Sequence, residues 1–425
     1  MYSARCTLPG AAGETGDGHA AGALLRGWRK RALLTQEQLA EKAGLNVRTV
    51  RRLESGGLQP RSRSVLLIAQ ALGLCGEERE QLAAAARGPA AGEPAVDPIV
   101  PRQLPAGLAA LAGREGELTT VENAHRAGPA LLVAIDGMAG AGKTALAVHA
   151  AHRLAPAFPD GQLYVDLHGH GTAPVEPGEA LARMTRALGV PGEDLPDHLD
   201  DRAALYRSVL ARRRVLVVLD DAADEDQVQP LLPAGPGCRV IVTSRRRLSG
   251  LGDSRALSLD VLPLAAAVAL FAEVAGRERV SGVPRGELYE VVARCGSLPL
   301  AVRIAAERLR SRPTWGVRDL LERLAGDRLA ELAAGRHDVA AALDRSYERL
   351  PAELRRAYRL LGARTGAGAN VDPRTAAALL GTSAPHAERL LERLLDAHLL
   401  REAAPGRYRF HDLVRDHACR ASRVA

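Results

Sequence analysis

Between residues 21 and 87 the apolar positions follow a helical period. Leu24, Leu25, Trp28 and Ala32 share one face of a first helix over 21–33, Leu39 and Ala40 point inward from a second that ends at Ala43, and Val50 and Leu53 from a third over 47–55. Further helices are predicted over 64–72 and 77–87. Thr35-Gln36-Glu37-Gln38 has the form of a capping box, Gly44-Leu45 turns the chain, and Asn46 is a suitable N-cap for the third helix. Beyond residue 130 the period changes. Runs at 130–135, 162–167, 215–219 and 239–243 are short, apolar and bounded by polar or glycine residues, which predicts buried parallel strands with room for helices between them. From Leu264 to Leu400 amphipathic helical stretches return, broken at Pro284, Pro299, Pro313, Pro351 and Pro373. The last places Leu390, Leu391, Leu394, Leu395 and Leu399 inward, and strands at 400–403 and 408–410 flank a turn at Pro405-Gly406.

Composition sharpens this picture at three points. The five cysteines (Cys6, Cys75, Cys238, Cys295, Cys419) have no CxxC spacing, which argues against a disulfide framework or zinc knuckle and for a reducing cytoplasm. No stretch of 18 apolar residues and no N-terminal apolar segment is present, so no membrane association is expected. The formal charge of +7 is concentrated. Residues 21–75 carry ten Arg or Lys against Glu37, Glu41 and Glu54, a balance of +7, and the remainder sums to zero. A polyanion should meet that segment first.

The clearest chemistry lies at GMAGAGKT, residues 137–144, directly after the first strand. Gly137, Gly140 and Gly142 allow successive backbone N–H groups to converge on phosphate oxygens. Lys143 supplies a compact charge for the β/γ-phosphates, and the Thr144 hydroxyl can complete a Mg²⁺ shell. Lys143 is one of only three lysines, in a chain that otherwise uses arginine. The third strand ends in Asp220-Asp221, which fits a Walker B strand. Asp220 would hold Mg²⁺ with Thr144, and Asp221 would orient or deprotonate the attacking water. Arg245 follows the fourth strand, either as a reader of the γ-phosphate or as part of a basic surface turn. His168 and His170 are assigned to a solvated loop, since no carboxylate or cysteine cluster accompanies them.

The stretch LLRGWRKRALLTQEQLAEKAGLNVRTVRRLESG resembles the phage-repressor-like (XRE/Cro) helix-turn-helix family. That resemblance implies that Val47, Arg48, Thr49, Arg51 and Arg52 face double-stranded DNA, with Arg48 and Arg52 on one face and suited to guanine edges. Gly113-Arg114, the P-loop, LVVLDDA, VIVTSR, Gly296-Ser297-Leu298-Pro299-Leu300-Ala301 and Phe410-His411-Asp412, in that order, resemble the NB-ARC nucleotide switch of the STAND class. Ser297 stands where glycine is usual, and Phe410 where methionine is commoner. The resemblance implies that Arg114 and Pro299 flank adenine, that Arg245 is the sensor arginine, and that His411 contacts the β-phosphate of ADP.

The expected fold is multidomain: an all-α helix-turn-helix bundle, an α/β P-loop NTPase domain with a parallel sheet, an α-helical domain and a winged helix. Residues 1–20 form an unordered N-terminus and 21–87 the DNA-binding bundle. A proline-rich linker follows over 88–105, then the nucleotide-binding domain over 106–260, the helical domain over 261–335 and the winged helix over 336–425. The expected function is an ATP/ADP-switched transcriptional regulator with slow hydrolysis and nucleotide-dependent self-association. With no repeat array before Ala425, its input would come from a separate sensor protein or a small-molecule signal. The alternative is a signalling or defence ATPase whose N-terminal bundle binds protein.

Overall fold

The computed structural model describes residues 18–56, 62–74, 78, 81–82, 100–107, 111–127, 132–335 and 337–424. It divides into two compact units, Met1–Pro98 and Ile99–Ala425. In the first unit, helices α1 (Gly18–Arg31), α2 (Gln36–Ala43), α3 (Val47–Glu54) and α4 (Ser62–Ala71) surround Leu25, Trp28, Leu39, Val50, Leu53 and Ile68. The capping box forms: the Gln38 N–H donates to Thr35 Oγ1 at 3.1 Å, and the Thr35 N–H to Gln38 Oε1 at 2.9 Å. Asn46 caps α3 through the Arg48 N–H. A Cβ on Gly22 would lie 2.7 Å from the Leu53 carbonyl oxygen, so glycine is what lets α1 lie against the end of α3. Helix α1 begins at Gly18, earlier than the sequence pattern suggests, because the alanines of His19-Ala20-Ala21 favour helix without adding an apolar stripe. The expected helix over 77–87 and linker over 88–105 fall mostly outside the described residues.

The second unit starts from a five-stranded, all-parallel sheet. Its strands are β1 (Leu132–Gly137), β2 (Gln162–Asp166), β3 (Leu216–Ala222), β4 (Arg239–Ser244) and β5 (Arg255–Leu259), in the order β2-β3-β4-β1-β5. Alternate residues of β3 enter different cores: Val217 and Leu219 join Leu181 and Tyr206, while Leu216 and Val218 join Leu146 and Val121. Burial on both faces explains the unbroken apolar run. The sequence pattern misses β5, an edge strand in which only Leu259 is buried, so Arg255-Ala256-Leu257-Ser258 carries no apolar run.

Helices α5 (Glu115–Ala127), α6 (Lys143–Leu154), α7 (Pro177–Ala187) and α8 (Leu199–Leu210) belong to this α/β layer. A helical part follows, with α9 (Leu264–Ala275), α10 (Arg285–Arg294), α11 (Pro299–Ser311) and α12 (Val317–Ala325). The chain then forms α13 (Val339–Glu348), α14 (Ala352–Arg364), α15 (Pro373–Leu380), α16 (Ala384–Asp396) and α17 (Asp412–Val424). Strands β7 (Arg401–Ala404) and β8 (Arg407–Arg409) make the expected wing hairpin, with Gly406 at φ +67°. The two-residue β6 (Asn370–Val371) pairs with β8 and is too short to show a pattern. One apolar core runs from Leu262 to Ala418, so the helical and winged-helix parts share their interior. Among the described residues no helix is long and apolar enough to cross a membrane.

Candidate functional site

The ends of β1, β3 and β4 and the start of α11 converge on a cavity of about 730 Å³. Of the residues singled out from the sequence, Arg114, Gly140, Gly142, Lys143, Thr144, Asp220, Asp221, Arg245 and Pro299 line it. Gly137, Gly140 and Gly142 all hold positive φ (+151°, +82° and +93°). A Cβ on Gly137 would lie 2.6 Å from the Leu259 carbonyl oxygen, and one on Gly140 would lie 2.9 Å from Leu300 Cβ. The loop therefore needs glycine both for its conformation and for its neighbours.

Lys143 Nζ donates to the carbonyls of Gly137 at 2.7 Å and Met138 at 2.9 Å. Burial, reinforced by the positive charge of Arg245, pushes its pKa down to about 7. An ammonium so placed is short of anionic partners, which is what a phosphate supplies. Thr144 Oγ1 donates to the Asp220 carboxylate at 2.9 and 3.0 Å. A hydroxyl beside a carboxylate at a helix start fits Mg²⁺, which takes few protein ligands and fills its shell with water and phosphate oxygens. Among the described residues no group of three or more His, Cys, Asp or Glu forms an all-protein metal cage.

Two residues missed in the sequence complete the Asp220 environment. Thr243 Oγ1 donates to Asp220 Oδ1 at 2.5 Å, and Tyr164 Oη to Oδ2 at 3.0 Å. Their only sequence signal is a polar side chain on a strand whose neighbours are apolar.

Several assignments change in the structure. Arg114 is 4% exposed, and its guanidinium donates to the carbonyls of Ala141 at 3.2 Å and Asp260 at 2.5 Å. It ties the P-loop to the end of β5 as well as lining the cavity. His170 is not a solvated loop histidine: it is 5% exposed, with Nδ1 3.2 Å from Asp221 Oδ1. Burial alone would raise the Asp221 pKa, but His170 and Arg245 hold its carboxylate well below the usual range. Such a carboxylate is a weak base. Arg245 is no simple surface turn either. Its Nε donates to Asp221 Oδ1 at 3.2 Å, and its Nη1 to the Ala342 carbonyl at 2.8 Å and Ser346 Oγ at 3.4 Å, both on α13.

His411 does not line this cavity. Its Nδ1 accepts the Leu413 N–H at 3.2 Å, leaving Nε2 to donate to the Gly296 carbonyl at 2.9 Å. Burial lowers its pKa, so the ring is neutral and both nitrogens are engaged. It holds the base of the segment that places Leu300 against Gly140, where the Leu300 N–H donates to the Gly140 carbonyl at 3.2 Å. Ser297 in that segment takes φ +51°, the left-handed region that explains why glycine suits the position.

In the first unit α3 turns Arg48, Arg51 and Arg52 outward, with Thr49 half-buried. Val47 is half-buried against the bundle core, which leaves the arginines as its outward set. Glu54, the only acid on α3, is 3% exposed and accepts from Arg29 Nε at 2.5 Å and Gln36 Nε2 at 2.7 Å. The exposed face is therefore purely cationic, apart from an ion pair of Arg51 with Glu37 at 2.7 Å.

The parallel sheet, glycine cradle and Thr144–Asp220 pair define a P-loop NTPase module, joined in the same chain to a basic helix-turn-helix. A helix-turn-helix family model matches residues 25–78, and the NB-ARC domain model matches residues 118–280. The chain thus carries a helix-turn-helix and an NB-ARC domain. Regulatory protein AfsR of Streptomyces coelicolor is 48% identical over 339 residues, covering 77% of this chain and 34% of that protein. Regulatory protein AfsR of Streptomyces griseus is 46% identical over 344 residues, covering 80% and 35%. The chain spans about a third of the length of these relatives. A Walker-type ATPase of Pyrococcus abyssi superposes with a TM-score of 0.50 at 13% identity, covering 73% of this chain and 96% of that one, a likeness of fold.

Proposed function

We propose that this chain is a DNA-binding transcriptional regulator whose NB-ARC module exchanges ADP and ATP, with Mg²⁺, as a switch. The observation that carries the reading is the placement of Arg245. Its side chain lines the same cavity as Lys143, Thr144 and Asp220, while its guanidinium joins Asp221 to α13. A terminal phosphate would compete for that guanidinium, so ATP and ADP would make different contacts, which is the requirement for shifting a conformational balance. Lys143 and the P-loop N–H groups would hold the phosphates, Thr144 and Asp220 the metal, and Arg114 and Pro299 the adenine end. Asp221 would orient water for a slow hydrolysis that resets the switch. The relatives carry the name regulatory protein, and the exposed Arg48, Arg51 and Arg52 supply a surface suited to double-stranded DNA. Nucleotide-dependent self-association, a partner sensor or small-molecule input, and a cytoplasmic location complete the proposal.

Lys143→Ala tests it. Calorimetry should show nucleotide binding abolished, while the variant still binds DNA; retained ATP binding would overturn the assignment of the cavity.

A further inference from the structure

When Arg245 turns toward a terminal phosphate its Nε is drawn from Asp221, whose side chain is 23% exposed. A largely desolvated carboxylate that loses the guanidinium hydrogen-bonded to it is strongly destabilised. The structure supplies a second set of donors. Asp221 sits at φ +50°, and its peptide and carboxylate are met by the loop over residues 168–171. The Gly169 N–H donates to the Asp221 carbonyl at 2.6 Å and the His170 N–H to Oδ2 at 3.2 Å, while His170 Nδ1, buried and without a hydrogen-bond partner of its own, lies 3.2 Å from Oδ1, within reach once Arg245 moves. A Cβ on Gly169 would lie 2.2 Å from the Ala223 nitrogen, so the loop closes on the strand end only with glycine there. Arg349, directly after α13, donates to the Gly171 carbonyl at 2.8 Å. The loop is therefore fixed from both sides, by β3 and by the same helical segment that holds Arg245.

We propose that His170 is a positioning residue for nucleotide discrimination: it keeps the Asp221 carboxylate satisfied and in place when Arg245 transfers to the terminal phosphate of a triphosphate. This rests on the nucleotide reading above. A diphosphate makes no demand on Arg245, so His170 matters for the triphosphate alone. Asparagine can replace it in part, since its amide Nδ2 occupies the place of imidazole Nδ1, whereas phenylalanine fills the space without a donor.

The test measures dissociation constants of Mg²⁺ with a non-hydrolysable ATP analogue, and of Mg²⁺ with ADP, on the full chain. His170→Phe should weaken the triphosphate about tenfold and leave ADP within about twofold, while His170→Asn stays within about threefold of the unaltered protein for both. In an Arg245→Ala background His170→Phe should add no further loss, because the coupling runs through the arginine. Equal weakening of both nucleotides, no change in either, or an undiminished effect without Arg245 would each overturn the proposal. If the phenylalanine variant melts early, His170→Ala carries the same comparison. If the unaltered chain binds neither nucleotide, the nucleotide reading falls and this proposal with it; if it binds both and His170 makes no difference, only the proposal falls.

Discussion

Helices α3 and α16 are built alike and present different charges to solvent. Each follows an eight-residue helix that ends in a left-handed glycine, Gly44 at φ +65° and Gly381 at φ +68°, and each starts from a polar residue, Asn46 or Ser383. The exposed side of α3 shows only Arg48, Arg51 and Arg52, because Glu54 is turned into the bundle. That of α16 alternates Glu388, Arg389, Glu392, Arg393 and Asp396, a surface that repels a phosphate backbone as much as it attracts one. The C-terminal end of α16 is also engaged elsewhere. The Arg247 N–H donates to the Asp396 carbonyl at 2.9 Å, and His398, at φ +52°, places Nε2 2.8 Å from Asp136, the residue before the first P-loop glycine. On the proposed reading, helix-turn-helix geometry alone does not make a DNA reader. The direction in which charges face decides, and in α16 they go with docking onto the nucleotide module.

The largest expected effect breaks this comparison directly. Arg48→Ala with Arg52→Ala should weaken DNA binding about a hundredfold and relax sequence preference in a binding-site selection, while Arg389→Ala with Arg393→Ala should leave it within about twofold. Equal losses from the two pairs would make the helices equivalent. Next in size, His398→Ala leaves the buried Asp136 carboxylate with Ser258 Oγ, at 2.6 Å, as its remaining side-chain partner. It should cost about 1–3 kcal/mol in thermal or denaturant unfolding of the second unit and leave DNA binding unchanged. A DNA-binding defect in that variant would mean that α16 contributes to the interface.

A third effect is a pH dependence. Lys143, with its pKa lowered to about 7, must be protonated to hold phosphate. Below pH 7 the charge is already present. As pH rises above it, each unit should cost nucleotide affinity up to about tenfold, with net proton uptake on binding at pH 8, seen as buffer-dependent heats in calorimetry. A flat affinity from pH 7 to 9 would mean that the ammonium does not bear on the phosphates.

The phosphate cradle was legible because its chemistry is contiguous: Gly137 to Thr144 contains the backbone donors, the cation and the hydroxyl in one run. The helix-turn-helix was legible for the same reason, through caps and charges close in sequence. What stayed hidden depends on chain segments far apart. Tyr164 and Thr243 reach Asp220 from different strands, His170 meets Asp221 only when the sheet brings two loop ends together, and His398 reaches Asp136 across more than half the chain. His411 was recognisable as a motif, but its contact could not be read from the motif, since the Gly296 and Leu413 backbones occupy both ring nitrogens. Edge strand β5 lacked the apolar run that burial on two faces imposes on β3 and β4.

The central claim is that nucleotide state governs the basic helix. Its most direct test is the DNA affinity of the full chain, at one salt concentration, with saturating ADP and with a saturating non-hydrolysable ATP analogue, each with Mg²⁺. The account predicts affinities that differ by about tenfold or more between the two states, a difference that disappears in Arg245→Ala. The same affinity with both nucleotides, under conditions where both are shown to bind, would contradict it.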